Sequence, residues 1–400
     1  MSTKYPGGIV KSSPVVPAGP YQNSSASGVW TMEQAGYWIK QGNWPTAGNL
    51  AYNLYSWGLN TTGQLGLGDI TNRSSPVQVG ALATWANIAS GVTDSTLATK
   101  TDGTLWSWGS NGSGQLGVGN ITNYSSPKQV GALTDWSNIA SGAAFSLAIK
   151  TNGTLWSWGS NAQGRLGLGN ITNYSSPKQV GALTTWATVT GGATHGLAVK
   201  TNGTLWSWGK NEWGQLGLGN TTYYSSPKQV GALTDWSNIA GGLVFTIATK
   251  TNGTLWAWGQ NTNGQLGRPG AYYSSPKQVG ALTTWSKIAC GGNNTLAIKT
   301  DGTLWSWGKN SNGELGLGNI TNYSSPKQVG ALTTWLKIVC GYAHTLATKT
   351  DGTLWSWGSN GQGRLGLGNT TYYSSPVQVG VLTTWLNMAG MTNFSLAIHS

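Results

Sequence analysis

The sequence predicts an all-β protein folded as a seven-bladed β-propeller, and three observations carry that expectation. First, the segment Leu-Trp-Ser-Trp-Gly, or a close variant, recurs about every fifty residues. Its tryptophan–glycine pairs are Trp57-Gly58, Trp108-Gly109, Trp158-Gly159, Trp208-Gly209, Trp258-Gly259, Trp307-Gly308 and Trp357-Gly358. Second, the segments between these pairs are short apolar stretches punctuated by glycine, proline and asparagine, the pattern of strands and tight turns. Third, the two ends of the repeat complement each other. The last unit stops at 394–400 without a Leu-Trp-Ser-Trp strand, and Asn53-Leu54-Tyr55-Ser56-Trp57-Gly58 opens the first unit with no earlier strand to pair with. A strand donated from the start of the repeat to the final sheet closes the ring and removes an exposed edge. Neither end carries the polar capping repeat that an open solenoid requires.

Within one unit the elements follow in order. Pro127-Lys128-Gln129-Val130 is a short extended piece whose proline suits a strand start or edge. Trp136 to Gly142 is a second strand ending in small residues, and Phe145 to Lys150 a third. Thr151-Asn152-Gly153 then leads into the strand Thr154-Leu155-Trp156-Ser157-Trp158. Asn-Gly, or Asp-Gly in other units, supplies the positive φ of a tight hairpin, so these last two strands pair antiparallel. Trp156 and Trp158 share one face, Leu155 and Ser157 the other. Large rings on one face of a small sheet need burial, and stacking seven sheets face to face provides it. The two irregular spacings, an extra residue within 91–97 and a missing one at Arg268-Pro269-Gly270-Ala271, fall in turn-like stretches and leave the strands intact.

Composition agrees with one closed body. Of 400 residues only 8% are charged, while glycine (61) and tryptophan (24) are abundant. The net charge of +12 is largely a product of repetition. Lys100, Lys150, Lys200, Lys250, Lys299 and Lys349 are one position copied; Lys128, Lys178, Lys228, Lys277 and Lys327 are another. A basic ring suits an acidic polymer; the plainer reading is a solvated rim, and nucleic acid is not the expected partner. Cys290 and Cys340 share a position held elsewhere by Ser90, Ser141, Gly191, Gly241 and Gly390, which marks a place for a small side chain. A bridge between the two thiols is the alternative, if their α-carbons are close. No stretch has the roughly twenty apolar residues of a membrane helix, and the N-terminus has no apolar signal core.

The motif G-x-L-W-S-W-G-x-N-x-x-G-Q-L-G-L-G, followed by S-P-x-x-V and I-A-x-G-x-x-H-x-L-A, resembles the repeat of the regulator of chromosome condensation (RCC1) family across residues 53–400. The resemblance implies a seven-bladed propeller closed by a strand from the opposite terminus. It also implies an interaction platform whose target is set by its loops. The exchange activity of the family's founder resides in loops peculiar to that protein, whereas the loops here are short and uniform.

Reactive groups are scattered rather than clustered, so an enzyme, a metal site and a cofactor are not expected. His195 and His344 occupy a position held elsewhere by Phe145, Phe245, Asn294 and Phe394, which points to packing. Asp102, Asp301 and Asp351 are turn residues interchangeable with asparagine, and no two carboxylates form an acid–base pair. The G-x-L-G-x-G stretches lack the strand–turn–helix setting of a phosphate loop. Recognition is expected from two loop series. One follows the tryptophan–glycine pair and includes Lys210 and Trp213, the latter the one aromatic in that series. The other precedes Ser-Ser-Pro and is rich in tyrosine, notably Tyr223, Tyr224, Tyr272, Tyr273, Tyr372 and Tyr373. Exposed, they suit saccharide or protein contact; the alternative is packing on the neighbouring blade.

Residues 1–52 lie outside the repeat. The stretch 1–27, rich in proline, serine and glycine, reads as an extended arm. The stretch 28–52 contains a short helix with a capping pattern at Thr31 and Gln34. Its G-x-W-T-x-E-Q…K-x-G-x-W-P sequence resembles a segment near the start of structural proteins of tailed bacteriophages. That resemblance implies a virion-attachment segment in which Trp30, Met32, Trp38, Ile39, Trp44 and Pro45 face other virion proteins; the alternative is a helix that caps the propeller. The resulting expectation is a non-enzymatic virion protein, a tail fibre or a capsid or tail decoration. Its propeller would meet a host-surface glycan or protein, or another copy of itself, without membrane insertion. The alternative is a cellular RCC1-like binding or inhibitor propeller.

Overall fold

A computed structural model describes residues 52–400 except 82, 83, 90, 92 and 93. The extended arm, the segment with Trp30, Met32, Trp38, Ile39, Trp44 and Pro45, and Ser90 therefore lie outside the described residues. The rest forms seven four-stranded antiparallel sheets. In chain order, blades one to six span 85–129, 136–179, 186–229, 236–278, 285–328 and 335–378. The seventh is assembled from both ends of the repeat.

Blade two shows the plan. Its strands Trp136–Gly142, Phe145–Lys150, Leu155–Gly159 and Tyr174–Gln179 pair in that order, from inner to outer. The Ser-Ser-Pro strand is thus the outer edge of the blade whose Leu-Trp-Ser-Trp-Gly precedes it. The sequence unit 127–159 therefore straddles two blades instead of matching one. The outer strand is bulged: Tyr174 sits opposite Gly159 and Lys178 opposite Ser157. Its proline is tolerated because an edge strand does not need every N–H.

Closure follows the expectation and extends it. Asn53–Gly58 runs antiparallel to Phe394–His399, with Leu54 opposite Ile398 and Ser56 opposite Leu396. The order of the closing sheet is Arg73–Gln78, Asn53–Gly58, Phe394–His399, Trp385–Gly390. Two strands, not one, come from the start of the repeat, because the outer strand travels with its own Leu-Tyr-Ser-Trp-Gly strand.

The hairpin between the second and third strands also differs in detail from a two-residue turn. Gly153 alone takes a positive φ, +75°, and its N–H donates to the Lys150 carbonyl while Lys150 N–H donates to the Thr154 carbonyl. This is the three-residue loop with a glycine bulge. Asn152 keeps a negative φ and uses its side chain to brace the turn, its Oδ1 accepting from Thr154 Oγ1 at 2.7 Å. Thr154 Oγ1 in turn accepts from Trp156 Nε1 at 2.9 Å.

Each blade shows tryptophan to its predecessor and leucine to its successor. Trp158 is fully buried among Leu97, Leu105 and Val130 of blade one, and its Nε1 donates to the Gln115 carbonyl at 2.9 Å. Leu155, on the opposite face, packs with Trp208 of blade three. The glycines that mimic a phosphate loop make this possible. At Gly117, φ is +74° and an added Cβ would lie 2.6 Å from Trp158 Nε1. The small-residue position is explained likewise: a Cβ at Gly241 would fall 2.6 Å from the Gly192 nitrogen, where inner strands converge on the axis. Cys290 and Cys340 fill that position as free thiols, and no bridge joins them.

Candidate binding faces

The strand order gives the propeller two unlike ends. One carries the hairpins between second and third strands and the loops from each outer strand to the next inner strand. The other carries the first turns and the long loops between third and fourth strands. All the sequence-predicted recognition residues lie at this second end.

The structure brings some of them together. Lys210 Nζ pairs with Glu212 Oε1 at 2.7 Å. Trp213, half-buried, meets Tyr272 of the next blade edge to face, with ring centroids 6.3 Å apart. The tyrosine pairs split. Tyr223, Tyr272 and Tyr372 are exposed at 43%, 51% and 51%, whereas Tyr224, Tyr273 and Tyr373 are half-buried. The Tyr224 and Tyr373 hydroxyls each accept from an asparagine, Asn220 and Asn369, at 3.2 Å. Tyr273 donates to the Pro269 carbonyl. The second tyrosine of each pair therefore shapes its own loop, and only the first is offered to a partner. Tyr223, Tyr272 and Tyr372 stand on blades three, four and six.

Ile70, Ile121, Ile171 and Ile320 were missed. They lie in the same loop series and are 65–71% exposed. With the three exposed tyrosines they give every blade one large exposed side chain at this end. A signal existed in the sequence: five loops read either Ile-Thr-Asn-Tyr or Thr-Thr-Tyr-Tyr, the others being Ile70-Thr71-Asn72-Arg73 and Gly270-Ala271-Tyr272-Tyr273, so isoleucine is lost wherever a tyrosine replaces asparagine. The asparagine has its own role, since Asn123 Oδ1 accepts from the Asn111 N–H at 2.8 Å.

The first lysine series is not a solvated rim. Lys100, Lys150, Lys250 and Lys349 are buried to 6–8% exposure, each with its ammonium over two indoles. Lys349 Nζ, for instance, sits 3.5 Å from the Trp355 ring centroid and 5.2 Å from that of Trp335. Such cation–π contacts strengthen as water is excluded, and burial lowers the Lys349 pKa. A polyanion would therefore have to make its direct contacts with the second lysine series. In the second series Lys128, Lys178, Lys228 and Lys327 lie over tyrosine rings on the outer edge, 5.2–5.5 Å from the centroids.

His195 and His344 are fully buried between blades. His195 Nε2 lies 3.0 Å from Thr246 Oγ1, whose own proton goes to the Gln215 carbonyl. The imidazole must therefore donate from Nε2, leaving Nδ1 bare and without a partner. Burial pushes the His195 pKa down to about 3 and that of His344 well down, with Arg364 adding to the effect. Among the described residues no group of three or more histidine, cysteine or acidic side chains is placed to hold a metal ion.

Comparison with known proteins agrees with this architecture. The family profile of the RCC1-like domain matches residues 186–400, and that of the regulator of chromosome condensation (RCC1) repeat matches 53–97, 102–149 and 152–199. Human WBSCR16 superposes with a TM-score of 0.79 at 22% identity, covering 88% of this chain and 99% of its own. Prp20p of Saccharomyces cerevisiae gives 0.77 at 22% identity, covering 87% and 91%. The ultraviolet-B receptor UVR8 of Arabidopsis thaliana is 41% identical over 78 residues, 19% of this chain and 18% of the receptor. The human X-linked retinitis pigmentosa GTPase regulator is 34% identical over 87 residues, 20% of this chain and 8% of the regulator. The chain thus spans less than a fifth of the curated relatives it matches. With the RCC1-like domain covering more than half of its length, the chain belongs to the RCC1-like propeller family.

Proposed function

We propose that the protein is a non-enzymatic binding platform that holds a partner protein against the loop end of its propeller. The observation that carries this reading is the cluster of exposed Tyr223, Tyr272 and Tyr372 with the Trp213–Tyr272 pair, set in a ring whose other blades present an exposed isoleucine. Flat and branched apolar side chains of this kind supply contact area at low entropic cost. Lys210 and Glu212 give the patch a polar rim. A relative described as a GTPase regulator supports a protein partner over a substrate; a cell-surface glycan is the other occupant the aromatic rings suit. Trp213→Ala combined with Tyr223→Ala and Tyr272→Ala should weaken partner capture by at least about tenfold, a loss of about 1.4 kcal/mol, without altering the melting temperature. Salt should matter little, because these contacts are not ionic. A loss of binding at moderate salt with no effect of the three substitutions refutes the loop reading.

A second reading places this platform on a phage particle, with residues 28–45 as the attachment segment. Its support is the G-x-W-T-x-E-Q…K-x-G-x-W-P resemblance alone. Mass spectrometry of purified virions tests it: a chain of 46–400 should fold yet fail to incorporate, and normal incorporation removes this reading.

A further inference from the structure

The hydrogen-bonded turns of neighbouring blades narrow the axis at the loop end. At the hairpin end the inner strands surround a cavity of about 390 Å³, lined by five successive blades. One position in each inner strand, two after the tryptophan, rings this mouth. It is Asn87, Asn138, Thr188, Asn238 and Asn387 in five blades, but Lys287 and Lys337 in adjacent blades five and six. The repeat therefore concentrates two positive charges on one arc of an otherwise neutral ring.

Neither lysine has a carboxylate partner among the described residues. The acidic groups at this end are already engaged. Asp135 pairs with Lys150 at 3.5 Å and Asp235 with Lys250 at 3.3 Å. Asp102, Asp301 and Asp351 each accept from a threonine hydroxyl at 2.6 Å. Lys337 Nζ donates one hydrogen to the Leu386 carbonyl of blade seven, which fixes the ammonium at the wall and leaves its other hydrogens for the cavity. Asn238 is held by both amide hydrogens, Nδ2 donating to Thr249 Oγ1 at 3.0 Å and to the Ser286 carbonyl at 3.2 Å, which leaves its Oδ1 for the cavity. Burial and the neighbouring Lys287 charge both lower the Lys337 pKa, and an anion seated beside the Lys337 ammonium would offset both effects.

We propose that the axial cavity binds a small phosphate-bearing molecule, with Lys287 and Lys337 neutralising the doubly charged phosphoryl group. Ser237 and Thr188 offer hydroxyls, Asn238 its Oδ1 acceptor and Asn387 its Nδ2 donor to the remainder of the ligand. A doubly charged oxyanion matches two ammonium groups one for one, and several ammonium hydrogens meet several oxygens. The volume lies within the roughly 300–1,000 Å³ of small-molecule pockets, so it exceeds the need of a bare phosphate ion. The site lies at the end opposite the proposed partner face, and its failure would leave that reading untouched.

The test uses the full chain and isothermal titration with glycerol 3-phosphate and inorganic phosphate against chloride of equal ionic strength. The double variant Lys287→Asn/Lys337→Asn installs the residue that other blades already carry, so the fold has four internal precedents for it. Glycerol 3-phosphate should bind the wild type more tightly than inorganic phosphate does, and the double variant should weaken it on the order of tenfold or more. Lys287→Asn alone should give an intermediate loss. A control altered at the outer edge, Lys128→Gln/Lys178→Gln, should bind like the wild type. Equal binding by wild type and double variant overturns the proposal, as does equal loss in the control, or no binding of either phosphate beyond that of chloride.

Discussion

Acidification should destabilise this propeller through its two buried histidines, and the repeat supplies the substitution that removes the effect. In water the His195 imidazole titrates near 6.5, whereas burial holds it at about 3 in the folded chain. Between those values the unfolded state carries a proton that the folded state excludes. Stability therefore rises with pH across that window. The contribution is fully present above about pH 6.5 and is lost as pH falls towards the folded value. At about 1.4 kcal/mol per unit, His195 alone costs about 2 kcal/mol at pH 5 relative to neutral pH. His344 acts in the same direction. His195→Phe places there the residue found at Phe145 and Phe245. Phe245 already packs in a blade whose successor offers a hydroxyl at the matching place, Thr295, bonded to the Gln265 carbonyl. Urea unfolding of both chains at pH 7.5 and pH 5 gives the comparison. Asp94 and Glu314, whose carboxyl pKa values burial raises, titrate in both proteins and cancel in the difference. The wild type should lose about 2 kcal/mol more than the variant on acidification. Equal losses refute the argument, because a histidine that costs nothing to protonate is not sealed between blades.

Two further outcomes test the packing. Gly117→Ala should cost several times more than Gly131→Ala, although both residues have a positive φ, +74° and +62°. The first adds a Cβ at 2.6 Å from the Trp158 indole nitrogen and the second meets nothing within 4 Å. Backbone strain alone is about 1–2 kcal/mol, and a displaced buried hydrogen bond adds about 1–3 kcal/mol; similar losses by urea unfolding would show that the indole contact does not matter. Removing residues 1–58 takes away the strand that pairs with Phe394–His399 and should lower the melting temperature and cause aggregation, whereas a chain beginning at Tyr52 should remain soluble; equal melting of the two would contradict closure.

The seven-fold repeat, the closing strand and the small-residue position were legible because each is a local pattern copied many times. The histidines were legible for the same reason, since a site that accepts phenylalanine needs volume and not a proton. What was not legible depended on pairing between distant strands. A Ser-Ser-Pro segment flanked by two candidate partners does not say which it joins, so the blade boundary was misplaced. Lys150 looks solvated in the sequence because it ends a strand beside a polar turn. Its burial arises only when the register sets it opposite Trp136 and sets Trp156 opposite Ala148, closing two indoles over the ammonium. The tyrosine pairs illustrate a finer limit. Adjacent residues of one type take opposite roles because Asn220 or Asn369, four residues before the second tyrosine, captures its hydroxyl.

A nearly symmetric ring confines function to the places where its units differ. Turn chemistry, indole stacking and the lysine staples repeat around the axis, and a feature present on six or seven blades cannot by itself orient a single partner. The aromatic departures at the loop end and the basic ones at the opposite end cluster on blades three to six, while blade seven carries the Asp69–Arg73 ion pair instead. Trp213, Tyr223, Tyr272 and Tyr372 interrupt the isoleucine and asparagine pattern of the loop end on blades three, four and six. Lys287 and Lys337 interrupt the asparagine ring at the opposite end on blades five and six. A partner seated at the loop end should therefore sit off the axis, towards blades three to six, and leave blades one and two uncovered. Substituting Ile121 and Ile171 with threonine, the residue that Thr221 and Thr370 already place there, should then leave capture less affected than the single change Tyr272→Ala.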